Sequence, residues 1–251
     1  TTHMGDAVTS FENKIAKLFS KKYGLMVNSG SSALMLATNV LNFKKGDEII
    51  TPCLNFGTVV SSIILSNATP IMVDIEIDSL QVDTNKIEKK ISKKTKGIVI
   101  PNLIGNIPDW KIIRDIAKKY KLKIIEDSAD TLGAKIDNKP TGIYSDVSIT
   151  SFYGSHIISC AGNGGMFLTN DKKLYEKAKC KTLIFKLFLI FNVPLRYQTK
   201  YWDPGIPISD SFLSTSGRSI SSNSPPRAQS RILSISGVTT PGRECKGTQE
   251  R

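Results

Sequence analysis

The first two thirds of the chain alternate between segments with helical spacing of apolar residues and short apolar runs. The segment FENKIAKLFSKKYG carries four apolar residues at helical spacing, which are Phe11, Ile15, Leu18 and Phe19. This pattern predicts a helix that ends near Gly24. The segment SSALMLATNVLNF, which follows Gly30, predicts a second helix.

Six short apolar runs lie between the helical segments. They are rich in Ile and Val, and in chain order they read EIITP, PIMVDI, KGIVIP, LKIIEDS, DVSITSF and GMFLTN. Runs of this length and composition are typical of strands that are buried on both faces of a sheet. Because the strands alternate with helices, the sequence predicts an α/β domain with a mostly parallel central sheet sandwiched by helices.

The pattern ends near Thr182. The later stretch SDSFLSTSGRSISSNSPPRAQS is rich in Ser, Pro and Arg and has little periodicity. It is typical of a disordered tail, and it is also what a frameshift would produce. We therefore predict a large domain over residues 1–182, incomplete at its N-terminus, and an atypical tail over residues 183–251.

The chain of 251 residues is 40% hydrophobic and carries a formal net charge of +12. This charge has two interpretations, which are a solvated lysine-rich surface and an attraction to anions such as nucleic acid or a phosphorylated small molecule. The sequence has no basic stretch interleaved with aromatic residues, which would support the binding of nucleic acid. We therefore expect no nucleic-acid partner.

The cysteines and the apolar segments favour a cytoplasmic protein. The four cysteines lack CxxC spacing, which is typical of reduced thiols. The chain starts without the pattern of a signal peptide. The apolar run over residues 184–195 includes Lys186 and is shorter than the roughly 20 residues that span a bilayer. We expect a cytoplasmic location and no membrane contact.

Two local features precede the middle of the chain. In NSGSSALML, Gly30 and Ser31 open the second predicted helix, so their backbone N–H groups form a candidate phosphate site. An ordinary serine N-cap is the alternative. In TPCLNFGTVV, Phe56 follows a strand end, where side chains project toward a ligand crevice, although a phenylalanine is more often a core residue.

Two further features lie at the ends of later strands. In IIEDSAD, a buried strand runs directly into Glu126 and Asp127. Such carboxylates need a partner, which can be a protonated ring nitrogen, a helix cap or a surface cation. In SFYGSHIISCAGNGG, Ser151 ends a strand and His156 follows in a loop rich in glycine. A histidine in such a loop is a structural residue or a catalytic one.

Together these motifs resemble the DegT-type family of nucleotide-sugar aminotransferases and dehydratases. The resemblance covers about residues 5–181 and rests on NSGSSA, GDEIITP, ATPIMVDI, the GN in NLIGN, IIEDSAD, SFYGSH and GNGGM. It implies the large domain of a pyridoxal-phosphate enzyme with the aspartate-aminotransferase fold. Full-length members have a smaller C-terminal domain, which is absent or unrecognisable here. The resemblance also implies a homodimer and a nucleotide-sugar substrate in deoxysugar or lipopolysaccharide O-antigen biosynthesis.

The resemblance assigns five residues to pyridoxal or pyridoxamine phosphate. Gly30, Ser31 and Ser151 would hold the phosphate. Phe56 would stack on the pyridine ring. Asp127 would pair with the ring nitrogen and keep it protonated, so that the ring acts as an electron sink.

His156 stands where the aminotransferases of this family have a lysine that forms a covalent bond with the cofactor. Imidazole has no primary amine and cannot form that bond, but it can move protons near neutral pH. Within this family, a histidine at this position is similar to the one that distinguishes the sugar 3-dehydratases from the aminotransferases. These enzymes use pyridoxamine phosphate and remove the C3 hydroxyl of a nucleotide-linked 4-keto-6-deoxyhexose as water. Asp130, where many aminotransferases have glutamine, favours the same assignment and counts as a cofactor-binding residue.

Two alternatives remain open from the sequence. A sugar aminotransferase would need another lysine at the cofactor, and Lys135 and Lys139 are the nearest along the chain without matching the motif. A non-catalytic member would bind the cofactor or a nucleotide sugar for regulation or assembly. One branch of the dehydratases holds an iron–sulfur cluster through closely spaced cysteines, and no such spacing occurs here. We expect no iron–sulfur cluster and no other metal.

Overall fold

The computed structural model of the chain describes residues 5–160 and 163–190, with side chains through residue 182. The helices of more than one turn are α1 (Asp6–Leu18), α2 (Gly30–Val40), α3 (Gly57–Leu65), α4 (Thr84–Ile87), α5 (Trp110–Tyr120) and α6 (Lys172–Ile190). The strands are β1 (Tyr23–Val27), β2 (Glu48–Pro52), β3 (Thr69–Val73), β4 (Thr95–Pro101), β5 (Lys123–Asp127), β6 (Lys135–Ile136), β7 (Lys139–Pro140), β8 (Val147–Ser151) and β9 (Gly165–Thr169). Short 3-10 turns cover Glu88–Lys90, Leu103–Gly105 and Thr141–Tyr144.

The central sheet has seven strands in the order β1-β9-β8-β5-β4-β2-β3. The strands from β3 to β8 pair in parallel, while β8 with β9 and β9 with β1 pair antiparallel. The strands β6 and β7 form a separate small hairpin. The predicted fold class, a mostly parallel sheet between helices, is confirmed. All six predicted strands are present, and β1 is a strand that the hydrophobic pattern missed.

The prediction that the first helix ends near Gly24 was wrong. Helix α1 ends at Leu18 and Gly24 lies within β1. Ser20 takes the left-handed conformation with φ 52°, and the N–H of Lys21 donates to the carbonyl oxygen of Ala16 at 2.8 Å. This hydrogen bond closes a Schellman motif, which usually has glycine at the left-handed position. A serine there gave no signal in the sequence.

The prediction that the strands are buried on both faces was also wrong for one of the six. Strand β3 is at the edge of the sheet, and along its length only Val73 is fully buried. An edge strand has a neighbour on one side only, so its side chains keep more contact with water. The inner strands follow the prediction, since every residue of β8 and β9 is buried.

Alternate residues along the inner strands pack into two different layers. Ile124 belongs to a core cluster with residues of α5, and Ile125 belongs to a cluster with residues of α2 and α3. We call these two sides of the sheet the α5 face and the α2 face. Each fully buried isoleucine contributes about 1.5–3 kcal/mol of hydrophobic stabilisation. The alternation also fixes which face receives each polar residue at the strand ends.

Helix α6 spans the predicted domain boundary at residue 182. The predicted tail covers residues 183–251, and its part from residue 191 onward lies outside the described residues, so the domain division stays a prediction. Of the helices in residues 5–160 and 163–190, none is both long enough and apolar enough to cross a membrane.

Candidate active site

The start of α2 presents free backbone donors. Ser29 is the N-cap, and its side-chain oxygen accepts from the N–H of Ser32 at 3.1 Å. The carbonyl oxygen of Ser29 accepts from the N–H of Ala33 at 3.0 Å. Since the first N–H groups of a helix have no partner within it, the N–H groups of Gly30 and Ser31 are left for a ligand. An anion at this point gains from these donors and from the helix dipole.

Close packing holds the start of α2 against the ends of two strands. A Cβ atom on Gly30 would lie 2.6 Å from the Cβ atom of Ser151, and one on Gly165 would lie 2.2 Å from the carbonyl oxygen of Ser29. Only glycine fits at either position. The structure thus brings Gly30, Ser31 and Ser151 together, as the resemblance implied for a phosphate site.

Phe56 lies at the start of the neighbouring helix. It is the N-cap residue of α3 and is 69% exposed, so it is not part of the core. Two residues later, the hydroxyl of Thr58 lies 3.4 Å from the hydroxyl of Ser31. The helix starts of α2 and α3 are therefore adjacent, and Phe56 is an exposed ring beside the candidate phosphate site.

Asp127 ends β5 on the α2 face. It lies two residues after Ile125, whose side chain packs on that face. The side chain of Asp127 is buried and accepts a hydrogen bond from the N–H of Ala129 at 3.0 Å. Ser151 lies on the same face, because it follows Ile149 of the same core cluster by two residues.

Burial raises the pKa of the Asp127 carboxyl to about 7. The N–H of Ala129 lowers this pKa, and the charges of Asp130 and Glu126 raise it. A positive charge placed beside Asp127 would favour the ionised carboxylate and offset the penalty of burial. A protonated ring nitrogen is such a charge.

Glu126 points to the opposite face and is fully satisfied within the protein. One carboxylate oxygen accepts from the side-chain nitrogen of Asn102 at 3.2 Å and from the hydroxyl of Ser128 at 3.0 Å. The other accepts from the hydroxyls of Ser148 at 2.6 Å and Ser145 at 3.2 Å. Glu126 therefore has a structural role beneath the candidate site.

Two residues in this buried network were missed by the sequence analysis. Asn102 accepts from the indole N–H of Trp110 at 2.8 Å while it donates to Glu126. The ammonium of Lys21 donates to the carbonyl oxygen of Ser145 at 2.6 Å. Burial lowers the pKa of Lys21 to about 8, and the charge of Glu126 opposes this shift. A polar residue directly after a buried strand, such as Asn102, was the only signal for either position.

His156 and Asp130 meet above the ends of β8 and β5. The Nε2 atom of His156 lies 3.6 Å from a carboxylate oxygen of Asp130. The other carboxylate oxygen accepts from the backbone N–H of Ile104 at 3.3 Å. The ring of Tyr153 stands edge-on to the imidazole, with the ring centres 5.9 Å apart.

The arrangement fits a pyridoxal-type cofactor. The seven predicted residues all lie at or just after the carboxyl ends of β1, β2, β5 and β8 or open the next helix, which is where ligands bind in open α/β sheets. The helix start of α2 suits the phosphate, and the buried carboxylate of Asp127 suits the ring nitrogen. Among the described residues, the Nδ1 atom of His156 is one of two buried side-chain nitrogen or oxygen atoms without a hydrogen-bond partner. The roles of these residues stay predictions.

Comparisons with known proteins agree with this fold. The mostly parallel sheet between helices is the pyridoxal-phosphate-dependent transferase fold. A solved structure, the Escherichia coli GDP-4-keto-6-deoxy-D-mannose-3-dehydratase with bound hydrated PLP, matches with a TM-score of 0.67 and 32% identity, over 70% of this chain and 47% of that one. The chain belongs to the DegT/DnrJ/EryC1/StrS aminotransferase family, whose sequence profile matches residues 1–188. The resemblance seen in the sequence is confirmed.

Curated relatives include both aminotransferase and dehydratase names. The chain is 39% identical over 173 residues to the GDP-perosamine synthase of Escherichia coli O157:H7, which covers 69% of this chain and 47% of the relative. It is 34% identical over 184 residues to the GDP-4-keto-6-deoxy-D-mannose 3-dehydratase of Yersinia pseudotuberculosis, over 70% of this chain and 46% of the relative. The chain thus spans about half the length of these relatives.

Proposed function

We propose that this chain is the large domain of a pyridoxamine-phosphate-dependent 3-dehydratase that acts on a nucleotide-linked 4-keto-6-deoxyhexose. The observation that carries the proposal is His156, an imidazole at the position where the aminotransferases of the family have a lysine. The dehydratase relatives support the proposal, and so does the buried Nδ1 atom of His156. Deoxysugar and lipopolysaccharide biosynthesis is the setting we propose.

The residues of the site divide the work between binding and proton transfer. The N–H groups of Gly30 and Ser31, with the hydroxyl of Ser151, bind the phosphate. Asp127 holds a proton on the ring nitrogen, and Phe56 covers the ring. When it is bound, pyridoxamine phosphate supplies an amine for the sugar ketone and a ring that accepts an electron pair.

His156 is the proposed proton carrier. Its imidazole is the general base in this proposal and would accept the proton that the reaction releases. A lysine at this place would instead bond covalently to the cofactor. The proton that His156 would remove from the cofactor's methylene carbon and the hydroxide that would leave C3 together make one water molecule. The loss of the hydroxyl reduces C3 by two electrons, which the cofactor amine would supply, so an amino donor must restore that amine after each turnover.

A sugar aminotransferase is the second candidate function. The identity of 39% to a GDP-perosamine synthase favours it. Such an enzyme would need a lysine at the cofactor in place of His156. The two lysines nearest to the motif along the chain, Lys135 and Lys139, are exposed residues of the β6–β7 hairpin.

We extend the proposal to a homodimer. Three apolar side chains near His156 are exposed, namely Ile104, Tyr153 and Ile157. Exposed apolar side chains that cluster beside a site are typical of a surface that a partner covers. A second copy of the chain is the partner that we propose.

Borohydride trapping tests the proposal on the 251-residue chain. The chain is loaded with pyridoxal phosphate, reduced and digested, and its peptides are weighed by mass spectrometry. We expect no lysine adduct in the wild type, because imidazole cannot form the covalent bond. In the control variant His156→Lys, we expect a reduced adduct on residue 156, because the new amine reaches the same place.

The outcomes separate the candidate functions. A wild-type adduct on one lysine would support the aminotransferase and overturn the dehydratase. Without an adduct, the release of water from a nucleotide-linked 4-keto-6-deoxyhexose with added pyridoxamine phosphate supports the dehydratase. Cofactor binding with neither an adduct nor turnover would indicate a non-catalytic member of the family.

A further inference from the structure

The two ring nitrogens of His156 have different surroundings. Nε2 lies 3.6 Å from a carboxylate oxygen of Asp130, while Nδ1 is buried without a hydrogen-bond partner among the described residues. The backbone N–H of His156 donates to the carbonyl oxygen of Tyr153 at 2.9 Å, and the Tyr153 ring stands edge-on to the imidazole. The loop and this ring therefore fix where the imidazole lies.

Asp130 is itself anchored by the protein. Its second oxygen accepts from the N–H of Ile104 at 3.3 Å. Ile104 has φ 57° and ψ 30°, which is the left-handed region that a β-branched residue rarely adopts. The protein thus engages both oxygens of Asp130, one through a backbone N–H and one through His156.

We propose that Asp130 is a positioning residue for His156. Its carboxylate holds the imidazole proton on Nε2 and leaves the lone pair of Nδ1 as the base. This inference rests on the proposed function, and it differs from the sequence prediction that Asp130 binds the cofactor. The partner of one ring nitrogen decides which nitrogen carries the proton in neutral histidine.

The charges around the pair fit this role. When Nδ1 takes up a proton, the imidazole becomes a cation, and the anion of Asp130 stabilises it. The 3.6 Å separation is long for a hydrogen bond, but such bonds between catalytic groups often shorten once the substrate is bound. The charge of Asp130 also acts on the carboxyl of Asp127. In the proposed complex, however, Asp127 pairs with the ring nitrogen of the cofactor, and the partner of Asp130 is His156.

The position of the imidazole proton can be measured directly. The 251-residue chain is labelled with ¹⁵N-histidine, and long-range proton–nitrogen spectra are recorded at a pH where the imidazole is neutral, without cofactor. The only other histidine is His3, so the variant His3→Gln assigns the signals. We expect the Nε2–H tautomer at His156, with Nδ1 unprotonated.

The variant Asp130→Asn gives the sharper result. The asparagine oxygen can still accept from the Ile104 N–H, which places the amide NH₂ group toward Nε2. An NH₂ donor needs an acceptor there, so the imidazole proton moves to Nδ1 and the tautomer inverts. The corresponding Asp→Asn change in serine proteases slows catalysis about 10⁴-fold by this route. Asp130→Glu restores a carboxylate and should restore the Nε2–H tautomer.

A matched control is Asp115→Asn. Asp115 is an exposed residue of α5 that pairs only loosely with Lys118, at 3.8 Å. Its substitution should leave the His156 signals unchanged. A wild-type Nδ1–H tautomer, or an unchanged tautomer in Asp130→Asn, would overturn the inference.

Cofactor affinity separates positioning from binding. A fluorescence titration with pyridoxamine phosphate should give dissociation constants for the wild type and Asp130→Asn within about twofold of each other. A loss of about tenfold or more would make Asp130 a cofactor ligand and overturn the positioning role. If the tautomer inverts as expected but the wild type removes no water from the sugar, the proposed function fails and the pairing of Asp130 with His156 stands.

Discussion

Glu126 and Asp127 are neighbours in the chain with opposite surroundings. Glu126 lies on the α5 face and accepts hydrogen bonds from four side chains. Asp127 lies on the α2 face and accepts a bond from one backbone N–H. Both are buried, so the difference lies in the number of donors and not in access to water.

The contrast separates a structural carboxylate from one that awaits a ligand. A buried carboxylate with several donors contributes to stability, while one with a single donor pays a desolvation penalty. That penalty appears as the raised pKa of Asp127, at about 7. Groups with such perturbed pKa values cluster at functional sites. The proposed ring nitrogen would remove the penalty when it binds.

The largest expected effect is on the structural side of this comparison. Glu126→Ala should lower the free energy of unfolding by roughly 3–5 kcal/mol, because it leaves buried donors without their acceptor and removes one of the two carboxylates, Glu126 and Asp146, whose charge favours the Lys21 ammonium. The matched variant Glu126→Gln keeps one acceptor oxygen, and the hydroxyls of Ser145 and Ser148 can turn to accept from its NH₂ group. It should cost less than half as much.

Urea unfolding of the wild type and both variants at one pH measures these differences. Equal losses for alanine and glutamine would show that the negative charge, and not the hydrogen-bond network, holds this region together. A loss below about 1 kcal/mol for alanine would contradict the structural role.

The second effect is the pH dependence that Asp127 creates. Its pKa rises from the ordinary 3.8 to about 7 in the folded chain, so the folded state holds this proton more tightly than the unfolded state. This contribution to stability is present at low pH and is lost as the pH rises from about 4 to 7. Asp127→Asn lacks it.

The variant should therefore match the wild type near pH 4 and become more stable above pH 7, by up to roughly 4 kcal/mol. Urea unfolding of both proteins across this range gives the difference, in which the other carboxylates cancel. At the same time Asp127→Asn should lose most of the proposed catalysis, since the ring nitrogen loses its anion. If the two proteins differ in their free energy of unfolding by the same amount at all pH values, the pKa of Asp127 is not raised in the folded chain.

The faces of these carboxylates could be predicted in part from the sequence. The run IIED places the two acids after two buried residues, and alternation along a strand puts neighbours on opposite faces. The predicted strands and the helix start at Gly30 were also local patterns of spacing and composition. Such patterns are sufficient when the nearest residues in the chain determine the structure.

The partners of the carboxylates could not be predicted. Glu126 meets Asn102 and Ser148, and Asp130 meets Ile104 and His156, at separations of 22 to 26 residues along the chain. These contacts depend on strand order and loop conformation, which local spacing does not specify. The same holds for β1, which becomes a strand only because β9 pairs with it.

The smallest expected effect tests the anchor of Asp130. Ile104 is 68% exposed and has a left-handed conformation that costs an L-residue roughly 1–2 kcal/mol. Ile104→Gly removes this strain, while glycine adds roughly 0.5–1 kcal/mol of unfolded-state entropy. The variant should gain up to about 1 kcal/mol of stability, and its backbone N–H still reaches Asp130.

The control is Ile77→Gly, at an isoleucine that is 86% exposed and does not have a positive φ. Glycine relieves no strain there, so this variant should lose about 0.5–1 kcal/mol through the entropy term alone. Thermal unfolding of both variants beside the wild type gives the comparison. Opposite signs would confirm that the loop before Asp130 is held in a strained conformation. If Ile104→Gly loses as much as Ile77→Gly, the loop stores no strain, and the hydrogen bond to Asp130 costs the fold nothing.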